Sequence, residues 1–365
     1  MRSSLLDDAR VVAVPFVVAR LLVGLAWLLA RAVADRFYAA HPAQLGEGLL
    51  AWDGTWYRDI ADLGYHALPA EGLRFYPTFP LLGRALSAPF GAGSSLVLVL
   101  VANVAAFALA VLIRRLVLAE GRGVAVADRA VWIVTLFPPA FVFVWAYAES
   151  LMLVAAVGAF LNVRKGRWWC AAACGLLAGA TRPVGIAVVA AMAVEACRDW
   201  RSVRAPQWVA RAAAVVAPIV GAVGFLVWVR SSYGDALLPF RVQSSLRGES
   251  DPFTRLLSGV KDMFGVERFG DGLHVPFAIA FIVLLVLTYR RLPVSYGAYA
   301  TVVLLLALSA NNLNSVERYA LNAFPLLITL AVLLRTERAE RIGLAICGCG
   351  LLSLCTLAWL AVYVP

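Results

Sequence analysis

The segment that follows the first long apolar run combines carboxylates with aromatic side chains. Residues 52 to 65 contain Asp53, Asp59 and Asp62 together with four aromatic residues. A carboxylate can take the proton of a hydroxyl group while that group attacks another molecule, which is general base catalysis. Aromatic rings stack on sugars or rest at the interface between membrane and water. The segment is therefore a candidate catalytic site, and Asp53 is the candidate base.

A helix is expected to position Asp53. Trp56, Ile60 and Leu63 recur at the i, i+4 and i+7 spacing, and Gly64 follows them. This spacing predicts an amphipathic helix at the membrane interface, with these three side chains on its apolar face. Asp53 stands where a residue caps a helix by accepting hydrogen bonds from the first free amides. Capping and base catalysis are compatible, and both roles stay open.

Three aspartates in one segment also suggest a divalent cation, which prefers carboxylate oxygens. On a helix, Asp59 and Asp62 share a face, whereas Asp53 lies about two turns away. We therefore predict catalysis without a metal or another cofactor, and a divalent cation is the alternative.

The composition is that of an integral membrane protein. Hydrophobic residues make up 62% of the chain, charged residues 15%, and the mean hydropathy is +0.83. Helices satisfy their own backbone groups in lipid, so the fold class is all-α and polytopic, in a single domain over residues 1–365. About eleven transmembrane helices are expected. They lie near residues 11–34, 94–113, 130–145, 147–163, 168–181, 185–197, 207–229, 274–289, 295–310, 320–334 and 342–363.

The basic residues indicate the orientation. With a cytoplasmic N-terminus, 18 of the 32 Lys and Arg residues fall in six short inside loops. The positive-inside rule favours this arrangement, so the net charge of +10 does not point to nucleic acid. Only two of the 32 are lysines, a bias typical of high-GC bacterial coding sequences. We expect a multi-pass protein of the bacterial plasma (inner) membrane, with its C-terminus and active site outside.

Some predicted spans are too short to cross the membrane. The hairpins 130–163 and 168–197 turn at residues 137–139 and 181–185, and irregular backbone survives in a membrane only around a cavity. Arg20 lies within the first span, where an ionisable group is a functional candidate; snorkelling or pairing with a glutamate is the alternative. The six cysteines lie in or beside predicted helices, so no disulfide framework is expected. Cys170 and Cys174 are interpreted as small core residues rather than metal ligands.

Several motifs resemble those of one enzyme family. The pattern Trp52-Asp53-x-x-x-Tyr57-x-x-Ile60-Ala61-x-x-Gly64-Tyr65 resembles the first-loop motif of the PIG-V-like (GPI mannosyltransferase II-type) enzymes of the GT-C glycosyltransferase superfamily. Segments 75–82, 137–151, 181–185 and 317–326 resemble further family motifs in the same order. The chain departs from the pattern at Trp56, where eukaryotic members often have His, and at Arg182-Pro183-Val184-Gly185. These departures concern the substrate rather than the superfamily.

The resemblance implies a GT-C-type helical bundle and an inverting glycosyltransferase. Its donor would be a polyprenyl-phosphate sugar, which in this family is typically mannose. Its acceptor would be a hydroxyl of a lipid or glycan. Bacteria make no GPI anchor, so the acceptor is a different one. Asp53 would be the base, and the departing phosphate needs fixed positive charge.

Arg182 and Arg318 are the candidates for that charge, because each lies at an outside-facing turn between apolar helices. An ion pair with Glu149 or Glu317 is the alternative for each. Tyrosines and tryptophans also suit the aromatic belt of a membrane protein. The expected substrate-binding residues are Trp52, Tyr57, Tyr65, Arg74, Tyr76, Glu149, Arg182, Glu317, Arg318 and Tyr319.

Two outer loops frame this site. The first, 31–92, contains the candidate base and interfacial helices, and the second, 231–273, is expected to act as a lid. The competing class is a transporter or flippase for polyprenyl lipids, which would bind the same phosphate. Repeated halves and coupling carboxylates would be typical of a transporter, whereas here the acidic and aromatic residues gather on one outer face. A third class is a non-catalytic subunit that binds a polyprenyl lipid.

Overall fold

The structure is a computed structural model that describes residues 5–91, 93–202, 204–248, 251–264, 272, 274–309, 313 and 315–365. Within these ranges every regular element is a helix and no strand occurs. The α-helices are α1 Leu5–Phe37, α2 Ala43–Glu47, α3 Asp53–Leu63, α4 Thr78–Ser87, α5 Ser95–Ala119, α6 Val124–Leu136, α7 Glu149–Arg164, α8 Trp168–Thr181, α9 Val188–Ala196, α10 Ala205–Tyr233, α11 Leu238–Arg247, α12 Pro252–Met263, α13 Val275–Arg291, α14 Val294–Leu308, α15 Val316–Leu321, α16 Phe324–Leu333 and α17 Glu337–Trp359.

Four of the helices are long and apolar enough to cross a membrane. They are α1, α5, α10 and α17, with 33, 25, 29 and 23 residues. A helix rises about 1.5 Å per residue, so each exceeds the roughly 30 Å of a hydrocarbon core. The predicted all-α class is confirmed for the described residues, and these helices are compatible with a multi-pass membrane protein.

The shorter predicted spans differ from the helices observed. The predicted helix 130–145 is α6 followed by a 3₁₀ helix, Pro138–Phe143. The predicted helix 185–197 is a 3₁₀ helix, Pro183–Ala187, followed by α9. Prolines at the start of both 3₁₀ helices lack the amide hydrogen that an α-helix needs, which explains both breaks. The predicted helix 320–334 is likewise divided, into α15 and α16.

The chain forms two compact units. The first comprises Met1–Asp62, Phe79–Val157 and Leu330–Pro365, and the second comprises Leu63–Thr78 and Gly158–Thr329. Each unit is assembled from segments that are far apart in sequence.

The first unit is built around α1. Helices α5, α6 and α17 all pack against it. Its buried face carries mainly small residues, among them Ala19, Ala26, Ala30 and Ala34. Small side chains let helix backbones approach closely, which is how membrane helices gain packing energy without a hydrophobic driving force.

Buried ion pairs lie at one end of the first unit. Asp8, which is fully buried, accepts hydrogen bonds from Arg114 Nη1 and from Arg115 Nε at 2.6 Å. Arg114 Nε also donates to Asp128 Oδ1 at 2.7 Å. These contacts connect α1, α5 and α6 on the side that the positive-inside rule assigns to the cytoplasm.

Glycines bring α8 and α10 together in the second unit. A Cβ atom at Gly179 would lie 2.0 Å from the carbonyl oxygen of Pro218, and one at Gly221 would lie 2.1 Å from that of Leu176. Gly175 and Gly179 stand four residues apart, the small-xxx-small spacing of close membrane helix pairs. The two backbones are therefore in direct contact.

Substituting Gly179 with alanine is expected to destabilise the protein by about 1–3 kcal/mol, since the added methyl group forces these backbones apart. Gly224→Ala is the matched control, because a Cβ atom there has no neighbour within 4 Å. Detergent-titrated unfolding of both variants measures the difference. Equal stability of the two variants would show that the contact between the helices is not tight.

Candidate functional site

The candidate site of the first unit begins at a strained residue. Trp52 has φ +60°, a left-handed conformation that is rare for a bulky side chain and costs about 1–3 kcal/mol. Three hydrogen bonds hold it in place. Its amide donates to Gln44 Oε1 at 2.7 Å, its indole Nε1 donates to the carbonyl of Ala358 at 2.9 Å, and its own carbonyl accepts from Thr55 Oγ1 at 2.8 Å. The surroundings thus fix the orientation in which the chain enters α3.

Asp53 is the first residue of α3 and is half-buried. Its amide donates to the hydroxyl of Tyr147 at 3.2 Å. The sequence predicted Asp53 as the helix cap. In the structure the helix begins at Asp53 itself, one residue earlier than predicted, because the backbone turns at Trp52. Asp53 therefore lies on the first turn, where the helix dipole favours a carboxylate.

The face of α3 that packs inside the protein overlaps only in part with the predicted apolar face. Ile60 is buried, whereas Leu63 is 63% exposed and Trp56 is half-buried. The buried positions include Tyr57, whose ring packs edge-on against Phe79 with centroids 5.0 Å apart. The spacing of apolar residues predicted the helix, whereas contacts with distant segments decide which side is buried.

The other two aspartates of α3 have structural partners. Asp59 Oδ1 accepts from Arg58 Nε at 2.7 Å, a hydrogen bond that raises the pKa of Arg58 above its ordinary value. Arg58 also pairs with Glu47 at 3.1 Å. Asp62 Oδ1 accepts from the amide of Ser94 at 2.9 Å. Among the described residues, no group of three or more His, Cys, Asp or Glu is placed to hold a metal ion.

A second segment of the first unit, residues 145–149, contacts the chain around Asp53. After the 3₁₀ helix Pro138–Phe143, the amide of Ala146 donates to the carbonyl of Leu49 at 2.9 Å, which joins this segment to the chain before Trp52. Glu149 begins α7 and is fully buried, as is Tyr147. The ring of Trp145 packs between Tyr147 and Trp359, with centroids 5.9 and 5.0 Å away. Gln44 and Ala358 were not predicted as partners, and Tyr147 lay in a predicted motif without an assigned role.

The tyrosines predicted to contact substrate are largely buried. Tyr57, Tyr65 and Tyr76 expose 2%, 8% and 2% of their surface, so they do not form an exposed aromatic belt. In the second unit, Tyr65 donates to the carbonyl of Phe75 at 2.7 Å, and the rings of Tyr65 and Tyr76 both pack on Phe225. Burial raises the pKa of Tyr76 to about 12.

Arg74 lies near these tyrosines in the second unit. Its Nη1 donates to Gln243 Oε1 at 3.4 Å and its Nε donates to the carbonyl of Glu71. Gln243 belongs to α11, within the predicted lid 231–273. Of that lid, the structure describes α11, α12 and the end of α10, while residues 249–250, 265–271 and 273 lie outside the described ranges.

The second unit also contains the candidate phosphate ligands. Arg182 follows α8 in extended conformation, and Arg318 lies on α15; their exposed fractions are only 7% and 5%. The guanidinium carbon of Arg318 lies 5.4 Å from the ring centre of Tyr319. Glu317 is buried, and its Oε1 lies 2.7 Å from Nδ1 of His274, which is also buried. His274 was not predicted as a site residue, because a single histidine 43 residues from its partner leaves no local pattern in the sequence.

The two units therefore hold separate parts of the predicted site. Trp52, Asp53, Tyr57 and Glu149 belong to the first unit. The second unit contains the other predicted residues, which are Tyr65, Arg74, Tyr76, Arg182, Glu317, Arg318 and Tyr319. All six cysteines are free thiols.

Comparison with known proteins gives no assignment, since no protein-family model matches the chain and no curated protein is significantly similar to it.

Proposed function

We propose that the protein is an inverting glycosyltransferase that moves a sugar, by resemblance mannose, from a polyprenyl-phosphate donor to a hydroxyl of a lipid or glycan acceptor. The main support for this proposal is Trp52, directly before Asp53. Trp52 has a strained backbone conformation and is held by three hydrogen bonds. Strain of this kind persists where the surroundings enforce it, and it is concentrated at functional sites. A carboxylate held this way is oriented before any substrate arrives.

The proposed reaction is a single displacement. Asp53 accepts the proton of the acceptor hydroxyl, whose oxygen forms a bond to the anomeric carbon. The bond between that carbon and the phosphate oxygen breaks, and polyprenyl phosphate departs with the electron pair. General base catalysis supplies about 10²- to 10⁴-fold in rate. No metal takes part in this proposal.

Two buried guanidinium groups are our candidates for binding the departing phosphate. Arg182 and Arg318 are each more than nine-tenths buried in a chain of high mean hydropathy. A buried cation is costly in such a protein and is generally retained for function. We assign these two side chains to the donor phosphate, where a preorganised donor stabilises developing charge by roughly 3–4 kcal/mol.

The proposed topology follows from the charge distribution. It has about eleven crossings in a GT-C-type bundle, with the N-terminus in the cytoplasm and the C-terminus and Asp53 outside a bacterial plasma membrane. The shorter apolar helices, such as α8, α14 and α16, would provide the additional crossings. The segment 231–273 would close over the bound donor.

Donor and acceptor are identified by one experiment. The purified protein in lipid nanodiscs is incubated with a crude lipid and glycan extract and with a panel of polyprenyl-phosphate sugars. Product masses are then recorded. We expect one added hexose on an acceptor and release of polyprenyl phosphate, with mannose as the best donor. A panel in which no donor yields product, although the protein is folded, would contradict the proposal.

Tyr147 provides a test of how Asp53 is held. Tyr147→Phe removes the hydroxyl that accepts the hydrogen bond from the amide of Asp53. A lost hydrogen bond is worth about 0.5–1.5 kcal/mol, so kcat is expected to fall roughly 3- to 10-fold. The matched control is Tyr289→Phe, because Tyr289 is an exposed tyrosine that contacts only Thr301 by its hydroxyl among the hydrogen bonds described. Equal kcat values for both variants would show that Tyr147 does not help to position Asp53.

A further inference from the structure

Arg20 lies in the interior of α1, a helix long and apolar enough to span a membrane. Its guanidinium group binds neutral groups: Nε donates to Asn103 Oδ1 at 3.0 Å, Nη1 to the carbonyl of Phe16 at 3.3 Å and Nη2 to the carbonyl of Phe143 at 3.4 Å. The same group stacks on the ring of Phe16, 3.3 Å from its centre. Among the described residues, Arg20 forms no ion pair with a carboxylate, so pairing with a glutamate, one of the alternatives to a functional role, is not observed.

Asn103 of α5 completes the arrangement. Its Nδ2 donates to the carbonyl of Val144 at 2.9 Å and to that of Val99, one helical turn earlier, at 2.8 Å. Arg20 and Asn103 thus hold two successive carbonyls, those of Phe143 and Val144. We call these two side chains the polar bracket.

The polar bracket holds the chain where the 3₁₀ helix Pro138–Phe143 ends. Carbonyls at a helix end have no partner within the helix and need one from elsewhere, above all in an apolar environment. Two residues further on, the amide of Ala146 donates to the carbonyl of Leu49. The next residue, Tyr147, accepts the hydrogen bond from the amide of Asp53. A continuous chain of contacts therefore runs from the polar bracket to the candidate base.

We propose that Arg20 and Asn103 are positioning residues for the reaction: the polar bracket fixes the segment 143–147, and that segment fixes Asp53. This inference rests on the proposed function, because it assigns Asp53 a reaction to perform. The role assigned to Arg20 is geometric rather than a matter of its charge. Its planar fork presents five donors in fixed directions, and three different acceptors use it here, whereas a lysine ammonium cannot reproduce that pattern.

Two substitutions test the polar bracket. Arg20→Lys keeps the charge and loses the fork, and Asn103→Leu keeps the approximate shape and loses both hydrogen-bonding functions. The matched control is Asn162→Leu. Asn162 of α7 makes the same bond to the carbonyl one turn earlier, that of Gly158 at 2.9 Å, and it belongs to the second unit.

The first measurement is hydrogen–deuterium exchange of the full-length protein in nanodiscs, which needs no substrate. Peptides that cover residues 138–148 are expected to exchange about tenfold faster in Arg20→Lys and Asn103→Leu, and unchanged in Asn162→Leu. The second measurement is steady-state transfer. The two bracket variants are expected to lower kcat about tenfold while the KM for the donor changes less than about threefold, because a displaced base slows the chemical step without weakening donor binding.

Different outcomes separate the possible errors. Unchanged exchange and unchanged kcat in Asn103→Leu would overturn the proposal, as would an Arg20→Lys variant with wild-type kcat, since charge alone would then suffice. A raised donor KM with normal kcat in Arg20→Lys would mean that Arg20 binds the donor phosphate and would also overturn it. If exchange is faster in both variants but the protein transfers no sugar from any donor, the polar bracket does fix the segment 143–147. That outcome overturns only the proposed function. Either variant decides the question if the other fails to fold.

Discussion

Asp53→Asn is expected to lower kcat for sugar transfer about 10²- to 10⁴-fold, because an amide cannot accept the proton of the acceptor hydroxyl. The substitution keeps the size of the side chain, and the backbone bond from residue 53 to Tyr147 does not depend on the carboxylate. The thermal midpoint and the donor affinity should therefore stay close to those of the wild type. Initial rates at saturating donor, together with donor binding, measure both quantities.

Asp59→Asn is the matched control on the same helix. Asp59 pairs with Arg58, and both side chains are partly exposed to solvent; a surface ion pair contributes only about 0–1 kcal/mol. Its kcat should stay within about threefold of the wild-type value. If Asp53→Asn and Asp59→Asn behaved alike, Asp53 would not be the base.

Asp8→Ala is expected to destabilise the first unit by about 3–5 kcal/mol, since removal of one partner leaves a buried charge uncompensated. Asp8 is fully buried and binds both Arg114 and Arg115, and Arg114 is itself 5% exposed. Arg114 would retain Asp128, its neighbour at 2.7 Å, but it would lose its second carboxylate, and Arg115 would lose the carboxylate with which it pairs. Unfolding in a detergent titration provides the free energy.

The control for Asp8 is an ion pair of the same kind at the surface. Glu337 and Arg341 pair at 2.8 Å with side chains that are 87% and 79% exposed. Glu337→Gln should cost no more than about 0.5 kcal/mol, because solvent screens the pair. If Asp8→Ala lowered the free energy of unfolding as little as Glu337→Gln does, the buried ion pairs that join α1, α5 and α6 would not stabilise the first unit.

Long apolar helices can be predicted well from sequence. The prediction 207–229 corresponds to α10, Ala205–Tyr233, and the prediction 94–113 to α5, Ser95–Ala119. A span needs about 20 consecutive apolar residues, and this requirement leaves a clear signal. Short segments with proline give a weaker signal. The sequence indicated turns at 137–139 and 181–185, but the remaining residues of the two 3₁₀ helices, 140–143 and 186–187, were predicted as α-helix.

The site was predictable only where its residues are neighbours in sequence. The spacing of residues 53 to 63 predicted α3 and placed Asp53 at its start. The groups that bind Trp52 and Asp53 come from three separate segments, and no sequence periodicity connects them. They belong to Gln44, Tyr147 and Ala358. The same holds for His274 beside Glu317. A pattern within a segment specifies a helix, whereas these side-chain partners depend on tertiary packing.

The buried Arg182 and Arg318 would bind a lipid phosphate in an enzyme and in a flippase alike. Only an enzyme breaks the bond between sugar and phosphate. The two classes therefore differ in the fate of the donor rather than in its binding.

Sugar transfer and lipid movement are distinguished in sealed proteoliposomes that contain polyprenyl-phosphate mannose and a lipid and glycan acceptor extract. Free polyprenyl phosphate, mannosylated acceptor and the leaflet of the intact donor are measured together. For an enzyme with Asp53 as its base, we expect free polyprenyl phosphate and mannosylated acceptor to appear in equal amounts, and Asp53→Asn to form neither. Movement of intact donor between leaflets, with no polyprenyl phosphate released, would contradict sugar transfer as the function and identify a flippase.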